Sequence, residues 1–294
     1  MSPIRFLALC LGTAATLLAF NPREARAETY HTCAGFIDAL PATVTTQGVW
    51  CLRKDLGTAM ASGAAITIAA SNVTIDCNDF KLGGMSAGTG TQAVGILAGG
   101  KQNATIRNCT IRGFHRGAVL SGGGHAVVDS RFDDNTSFGI YVFGDNAVVR
   151  NNRVMNTGGA TGGGMWDNIA VGIYIESAYA ATIHDNVVEG VVATEGGNGY
   201  AYGIIATTVT GTIKGNSIAT VSADGTGQSV GIRNGYVNAR SVAQDNVIVA
   251  GLSPVTGTGL SCAHDGMMIR ANVVRGFTET VEACTDIGGN VLAP

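Results

Sequence analysis

Charge and proline are scarce in this chain, and it lacks both helical periodicity and an excess of basic residues. Only 13% of its 294 residues are charged and 5 are proline, whereas 43 are glycine. The 18 Lys and Arg residues are outnumbered by 21 Asp and Glu residues, so no basic footprint for nucleic acid is present. No stretch beyond residue 27 keeps a helical period for long, which argues against a helical domain.

The first 27 residues predict a secretory signal peptide. Arg5 precedes an apolar run at 6–20, and residues 25–27 form an A-x-A cleavage site. The apolar run is too short to span a bilayer comfortably, so no transmembrane segment is expected. We therefore predict export, to the periplasm or out of the cell.

A repeat of the form apolar-x-x-Asn-x-apolar runs through the rest of the chain. The Asn slot of the repeat is filled by Asn78, Asn152, Asn186, Asn216, Asn246, Asn272 and Asn290, and in two further copies by Cys109 and Ser130. A Gly-apolar pair precedes most copies at a nearly fixed distance, for example 13 residues from 139 to 152 and from 203 to 216. A constant half beside a variable half is typical of a solenoid.

Short alternating runs within each copy predict β-strands. They are rich in β-branched and aromatic residues and are bounded by Gly, Asn and Asp. A single coil cannot bury its inward Ile and Val residues, so successive coils must stack in parallel around one narrow core. The Asn residues should then stack into a ladder, because an unpaired buried amide costs roughly 1–3 kcal/mol.

These patterns predict an all-β protein, a single-stranded parallel β-helix. Residues 28–56 should form an N-terminal cap that covers the first strand edges, and residues 57–294 the β-helix itself. A solenoid grows by adding coils, so this is one domain, and we expect a monomer.

Six cysteines remain after the leader is removed, and their placement suits an oxidising compartment. Their positions relative to the coils predict the disulfides Cys33–Cys51, Cys77–Cys109 and Cys262–Cys284, the second between slots about 4.8 Å apart. Buried free thiols are the alternative.

The segments QGVWCLRKDL and AITIAASNVTIDCNDFKLGG resemble the opening coils of secreted right-handed parallel β-helix proteins of the pectate-lyase-like superfamily. The resemblance extends through the repeats to about Asn290 and implies a right-handed helix. Members of the superfamily include pectate lyases, polygalacturonases, pectin methylesterases and mannuronan epimerases. The D-P-H-D and R-I-K motifs of these enzymes are absent. Asp133-Asp134 and Gly124-His125 match only the short D-D motif and part of the G-H-G motif, so the resemblance implies no particular reaction.

The distance from each Asn slot to the next Gly-apolar pair varies, so the variable loops all leave the same corner. The distance is 8 residues from 109 to 117 and 9 from 130 to 139, between longer loops at 79–94 and 155–171. Two short turns between two tall loops predict an open notch.

Side chains at this notch are the candidate site. Those that could do chemistry are His115, Arg116, Arg112, Asp133 and Asp134. Strand alternation points a second set outward in adjacent coils, where aromatic rings can stack on sugars and a carboxylate can bind hydroxyls: Tyr141, Phe143, Tyr174 and Glu176. We therefore predict a polysaccharide partner.

Two reactions fit these candidates. In β-elimination, Arg112 or Arg116 would neutralise a uronate and His115 or Arg116 would take the proton, with Ca²⁺ possible at Asp133, Asp134 or Asp145. A glycoside hydrolase would instead use Asp133 or Asp134 together with Glu176. The sequence requires no metal or other cofactor.

The competing interpretation is a non-catalytic structural or adhesive surface protein. Arg112 and Asp133 would then be a surface ion pair, and Tyr141 and Tyr174 would pack beneath a folded-over loop. A further row of basic residues lies two positions before the Asn slot and is either a solvated surface or a site for an anionic polymer. It contains Arg107, Arg150, His184, Lys214 and Arg270.

Overall fold

A computed structural model describes residues 30–164, 166–194, 199–236, 239–251, 255–263 and 266–294. The predicted signal peptide lies outside the described residues. The chain winds through stacked coils, and each complete coil contributes a strand to each of three parallel sheets. Two short 3₁₀ turns, Tyr30–Thr32 and Met85–Ala87, are the only helical elements in the described parts.

Sheet 1 contains the Gly-apolar pairs of the repeat. Each of its strands pairs in parallel with the strand one coil further along the chain. The strands are Ala42–Val44, Ala64–Ile68, Val94–Gln102, Arg116–Gly123, Phe138–Phe143, Ser229–Asn234, Val255–Cys262, Phe277–Glu282 and the first parts of Ile169–His184 and Tyr200–Lys214.

Sheet 2 follows sheet 1 in each coil and ends at the Asn slot. Two long strands run unbroken from sheet 1 into sheet 2, which joins both into one 19-stranded sheet. The strands of sheet 2 are Gly35–Ile37, Gly48–Leu52, Val73–Asp76, Thr105–Arg107, Ala126–Val128, Val148–Arg150, Ser241–Gln244, Met267–Arg270, Thr285–Asp286 and the ends of the two long strands.

Sheet 3 follows the Asn slot and leads into the variable loops. It is a separate sheet of ten strands, again all parallel. The strands are Leu56–Gly57, Lys81–Gly83, Thr110–Arg112, Arg131–Asp133, Arg153–Thr157, Val187–Val192, Ser217–Ser222, Val247–Val249, Val273–Arg275 and Val291–Ala293. The predicted parallel β-helix is confirmed.

The core is a set of apolar columns, one residue from each coil. One column on sheet 2 is almost fully excluded from solvent and runs through Ile75, Ile106, Val127, Val149, Ile183, Ile213, Ala243 and Ile269. Burying such side chains contributes roughly 1.5–3 kcal/mol each, which is why isolated coils do not fold and stacked coils do.

The predicted Asn ladder forms the corner between sheets 2 and 3. The backbone N–H and the Nδ2 of Asn152 both donate to Oδ1 of Asn186, at 3.0 and 3.1 Å, and Nδ2 also donates to the Val127 carbonyl at 2.8 Å. The pattern repeats upward through Asn186, Asn216, Asn246, Asn272 and Asn290. Asn78 differs, because its Nδ2 donates to the Leu52 carbonyl at 3.0 Å.

The residue before the ladder slot turns the corner in the left-handed backbone region. Its φ lies between +50° and +65° in Asn108, Asp129, Asn151, Asp185, Gly215, Asp245 and Ala271. Asn, Asp and Gly tolerate this conformation best, which explains their recurrence at this point of the repeat.

The glycine of the Gly-apolar pair is required by close contact between coils. A Cβ atom on Gly139 would lie 2.6 Å from the carbonyl oxygen of Gly172, and one on Gly172 would lie 2.6 Å from that of Gly203. Any side chain here would force the coils apart.

All three predicted disulfides are confirmed: Cys33–Cys51, Cys77–Cys109 and Cys262–Cys284, with Cα–Cα distances of 5.8, 4.7 and 5.1 Å. The first and last lie towards the two ends of the helix, where fewer coils hold the chain in place.

Candidate functional site

The outer face of sheet 1 carries a row of aromatic residues. Tyr141 and Tyr174 are register partners in adjacent coils, as are Phe143 and Glu176. The equivalent outward positions predicted for these four residues are therefore confirmed. Strand alternation places them outside, because Ile140 and Val142 fill the core.

A second outward column, one step towards the strand start, makes an apolar cluster separate from the core. It consists of Phe138, Val171, Tyr202 and Val230, against which Tyr141, Ile169, Tyr174 and Ile205 pack. The rings of Tyr141 and Tyr174 stack with centroids 5.0 Å apart, and Phe138 lies 5.6 and 6.0 Å from them. Trp166 meets Phe138 edge-on at 6.1 Å. An outer face this apolar is unusual for a solvated sheet.

A groove of about 320 Å³ opens beside this cluster, and we call it the aromatic groove. Its lining includes Trp166, Tyr174, Tyr202, Ile205 and Arg233. Further hollows adjoin it on the same sheet, one lined by Val119, Tyr141, Phe143 and Glu176 and the other by Arg233, Ser261 and Glu282. Since the lining residues come from successive coils, the hollows follow one another along the helix axis.

Two arginines border the aromatic groove without a carboxylate partner. The Arg116 guanidinium lies 5.8 Å from the Phe138 ring centroid, and its buried Nε has no hydrogen-bond partner in the regions that the structure describes. The Arg233 guanidinium lies 5.9 Å from the Tyr202 ring, and its Nη1 donates to the Tyr202 hydroxyl at 3.4 Å. Among the described residues, neither guanidinium forms an ion pair.

Burial alters the ionisation of the groups that line this face. Burial raises the pKa of Tyr141, and the hydrogen bond that its hydroxyl donates to Glu176 raises it further. Burial lowers the pKa of Arg116, whose charge is therefore poorly solvated. Tyr141 stays a neutral hydrogen-bond donor, while a bound anion would stabilise the charge of Arg116.

The loops at 79–94 and 155–171 meet above the two short turns, so the predicted open notch is wrong. The Thr89 and Thr161 hydroxyls are 3.0 Å apart, and the backbone N–H of Thr161 donates to the Thr89 carbonyl at 3.1 Å. The lengths of the loops follow from the sequence, but their direction does not. Polar groups on the two loops bond to each other and form a roof.

His115 lies beneath this roof and is 1% exposed. Its Nε2 is 2.9 Å from Oδ1 of Asp167, which also accepts a 3.1 Å bond from Gln92 Nε2. Burial lowers the pKa of His115, and the nearby Arg116 charge lowers it further against the opposing effect of Asp167. A residue so enclosed contacts no external substrate in this conformation.

Arg112 and Asp133 lie on sheet 3 instead, and Asp134 directly follows the strand Arg131–Asp133. Arg112 and Asp133 are register partners as predicted, but Arg112 pairs with Asp134 at 2.7 Å, and Asp133 pairs with Arg131. The alternative of an Arg112–Asp133 ion pair is therefore wrong, because the left-handed turn at Asp134 brings that carboxylate to Arg112.

The five candidate catalytic residues thus occupy three environments: the roofed interior, sheet 1 and sheet 3. Of them, only Arg116 borders the aromatic groove. The predicted substrate-binding residues Tyr141, Tyr174 and Glu176, in contrast, lie together on sheet 1, with the 43% exposed Phe143 beside them.

The part of the chain that the structure describes contains no group of three or more His, Cys, Asp or Glu side chains that could hold a metal ion. The candidate Ca²⁺ ligands lie apart. Asp133 and Asp134 face arginines, whereas Oδ1 of Asp145 accepts the backbone N–H of Tyr179 at 2.9 Å.

Sequence reasoning missed several residues of the aromatic groove. Tyr202 directly precedes Gly203 of a Gly-apolar pair, so comparison of the repeats contained a signal for it. Trp166 and Asp167 lie in a variable loop whose sequence is not repeated in the other coils. Only the folded structure shows that they lie at the groove.

The family model described as "Right handed beta helix region" matches residues 58–276. The chain belongs to this family. The right-handed helix implied by the sequence resemblance is thereby confirmed. No curated protein sequence matches this β-helix chain.

Solved structures similar to this β-helix protein include a tailspike, a lyase and an epimerase module. The Dettilon tailspike protein (gp208) is 16% identical with a TM-score of 0.50, and the match covers 87% of this chain and 56% of the tailspike, so the chain spans little more than half of it. An alginate lyase from Paenibacillus sp. str. FPU-7 is 13% identical, with 85% and 99% coverage and a TM-score of 0.40. The A-module of the mannuronan C-5 epimerase AlgE6 from Azotobacter vinelandii is 13% identical, with 90% and 92% coverage and a TM-score of 0.39.

Helices contribute little to this β-helix protein. Within the described residues, no helix is long and apolar enough to cross a membrane.

Proposed function

We propose that this β-helix protein is exported and binds an acidic polysaccharide along the outer face of sheet 1. The observation that carries the proposal is the apolar aromatic groove with Arg116 and Arg233 at its border, neither of which has a carboxylate partner among the residues that the structure describes. Three disulfides support a function outside the cytoplasm.

The shape of the site favours a long ligand over a small one. The hollows follow the helix axis across coils about 4.8 Å apart, so an extended polymer lying parallel to the axis would contact several coils at once. Aromatic side chains contact the apolar faces of sugar rings, while Tyr141 and Glu176 offer hydrogen bonds to hydroxyls.

The charges favour an acidic polymer. Arg116 and Arg233 present donors that match a carboxylate or sulfate, and neither is held in an ion pair within the described part of the chain. In contrast, Glu176 is already bonded to Tyr141, which reduces its repulsion of an anion.

Binding without cleavage is the function that the geometry supports best. The hydrolase pair of Asp133 or Asp134 with Glu176 is divided between sheet 3 and sheet 1, and His115 is enclosed. A glycan array that includes uronate polymers and neutral polymers tests the proposal. Acidic polymers should bind, and the Tyr174→Ala variant should bind them about tenfold more weakly.

Reducing-end and unsaturated-product assays on the bound polymers then test for turnover. We expect no product. Unsaturated ends would show that the protein is a lyase, and reducing ends alone that it is a hydrolase. Binding that Tyr174→Ala and Arg116→Gln leave unchanged would refute the site on sheet 1.

A further inference from the structure

The wall of the aromatic groove is made partly by Trp166, which belongs to a variable loop and not to a β-strand. Trp166 is 39% exposed and contacts Phe138 edge-on. A tryptophan on a loop provides a useful surface for a ligand only if the loop holds it in one place, because ordering it on binding costs free energy.

The structure holds this loop from below through buried polar groups. The Ser137 hydroxyl, which is excluded from solvent, donates to the Trp166 carbonyl at 2.8 Å. The side chain of the next residue, Asp167, points inward, and it accepts bonds from Gln92 Nε2 at 3.1 Å and from the backbone N–H of Gly164 at 2.9 Å. His115 Nε2 lies 2.9 Å from the same carboxylate.

The side chains of Asp167 and His115 are both about 1% exposed. The Arg112–Asp134 ion pair on sheet 3, in contrast, is about a third exposed. Burial raises the pKa of Asp167, but the bonds from Gly164, Gln92 and His115 outweigh it and hold the pKa below its usual value. Burying so polar a cluster is costly unless every group is satisfied, and here each bond ends on the turn that carries Trp166.

We propose that His115, Gln92 and Asp167 are positioning residues that fix Trp166 as a wall of the aromatic groove. His115 acts through Asp167 and contacts no ligand. The inference rests on the proposed polysaccharide function for its consequence on binding, and on the geometry alone for its consequence on the conformation of Trp166.

The test uses the full chain in a Trp50→Phe background, because Trp50 and Trp166 are the only two tryptophans. Without any ligand, Asp167→Ala should make Trp166 more accessible to acrylamide quenching and lower its fluorescence anisotropy. Asp167→Asn, which keeps an oxygen acceptor for Gly164 and Gln92, should restore much of the parent behaviour. Thr161→Ala is the matched control, since it removes a bond between the same two loops without touching the Trp166 turn.

Affinity for polygalacturonate or alginate, whichever the parent binds, should fall about tenfold in Asp167→Ala and recover partly in Asp167→Asn. His115→Ala, which removes the contact with Asp167, should behave like Asp167→Ala in both measurements. If Asp167→Ala retains parent quenching and anisotropy, the positioning role is wrong. If Asp167→Ala loosens Trp166 but the parent protein binds no polymer, the positioning role stands and the proposed function fails.

Thermal unfolding accompanies every variant. A variant that unfolds below the assay temperature is replaced by Gln92→Ala, which removes one donor to Asp167 and leaves the His115 contact in place. Unchanged Trp166 quenching in that variant would count against the proposal in the same way.

Discussion

Sheets 1 and 3 belong to the same coils, yet the candidate arginines on their outer faces have different neighbours. On sheet 3, Arg112 pairs with Asp134 at 2.7 Å, and Lys81 pairs with Asp55 at 3.0 Å. On sheet 1, Arg116 and Arg233 lie against aromatic rings and form no ion pair in the described structure. The coils are the same for both sheets. The outward side chains therefore decide which of these arginines have a carboxylate partner and which remain available to a ligand.

The difference follows from which residues are neighbours across coils. Arg116 lies between Val94 and Phe138, whereas Arg233 lies between Ile205 and Ser261. None of these neighbours can neutralise a guanidinium. Arg112 on sheet 3 instead has Asp133 as its register partner and Asp134 next to it. A charge left unpaired on a partly apolar face is a candidate for ligand binding.

Removing aromatic surface from sheet 1 should have the largest effect on binding. The double variant Tyr174→Ala with Tyr202→Ala should bind an acidic polymer about a hundredfold more weakly, taking about 1.4 kcal/mol for each ring. Isothermal titration calorimetry measures the loss. If instead a sheet 3 variant such as Arg131→Met caused a comparable loss, the assignment of binding to sheet 1 would be wrong.

Neutralising the unpaired arginine should have the next largest effect. Arg116→Gln should weaken binding of the acidic polymer about tenfold and should also reduce the dependence of affinity on salt. A neutral polymer of similar backbone provides the control, since its affinity should not respond. Equal losses for both polymers would mean that Arg116 acts through packing and not through its charge.

Acid should lower the stability of the protein through His115, which is buried beneath the roof. Burial holds the pKa of His115 below its ordinary value of about 6.5, so the unfolded chain takes up a proton at a higher pH than the folded chain. His115 therefore contributes a loss of stability as the pH falls below about 6.5, until its folded pKa is reached, of at most about 1.4 kcal/mol per pH unit.

Urea unfolding at several pH values measures this loss. His125 is also buried with a lowered pKa, so His115→Gln should reduce the pH slope and not abolish it. An identical slope in the parent and in His115→Gln would show that His115 does not contribute.

Breaking an ion pair on sheet 3 should have the smallest effect. Arg112 and Asp134 are about a third exposed, so Arg112→Met should cost less than about 1 kcal/mol of stability. Polymer affinity should stay within about twofold of the parent. Chemical denaturation together with the binding assay checks both numbers, and a binding loss like that of Arg116→Gln would remove the contrast between the two faces.

The regular half of the repeat was predictable from the sequence, because it obeys a constraint that every coil shares. In each coil, the ladder needs an Asn that bonds to the next coil, a residue that tolerates positive φ before it, and a glycine that packs against a carbonyl oxygen. These needs fix the same residue types at the same spacing along the sequence. The three disulfides and the outward pairs Tyr141–Tyr174 and Phe143–Glu176 follow from that register.

The variable half was not predictable, because its contacts join segments that no repeat relates. Gln92 reaches Asp167 across 75 residues, and His115 reaches it across 52. Loop length alone predicted an open notch, whereas polar pairing between the loops closed it. The separation of Arg112 and Arg116 onto different faces likewise depends on the turn between them and not on their proximity in sequence.

The most direct test follows Trp166 while the polymer is added. In a Trp50→Phe protein all tryptophan emission comes from Trp166, which lines the aromatic groove. A ligand on sheet 1 should change that emission in a saturable way, with the same midpoint as the calorimetric binding curve. Calorimetric binding of an acidic polymer without any change in Trp166 emission would place the ligand elsewhere and contradict the account.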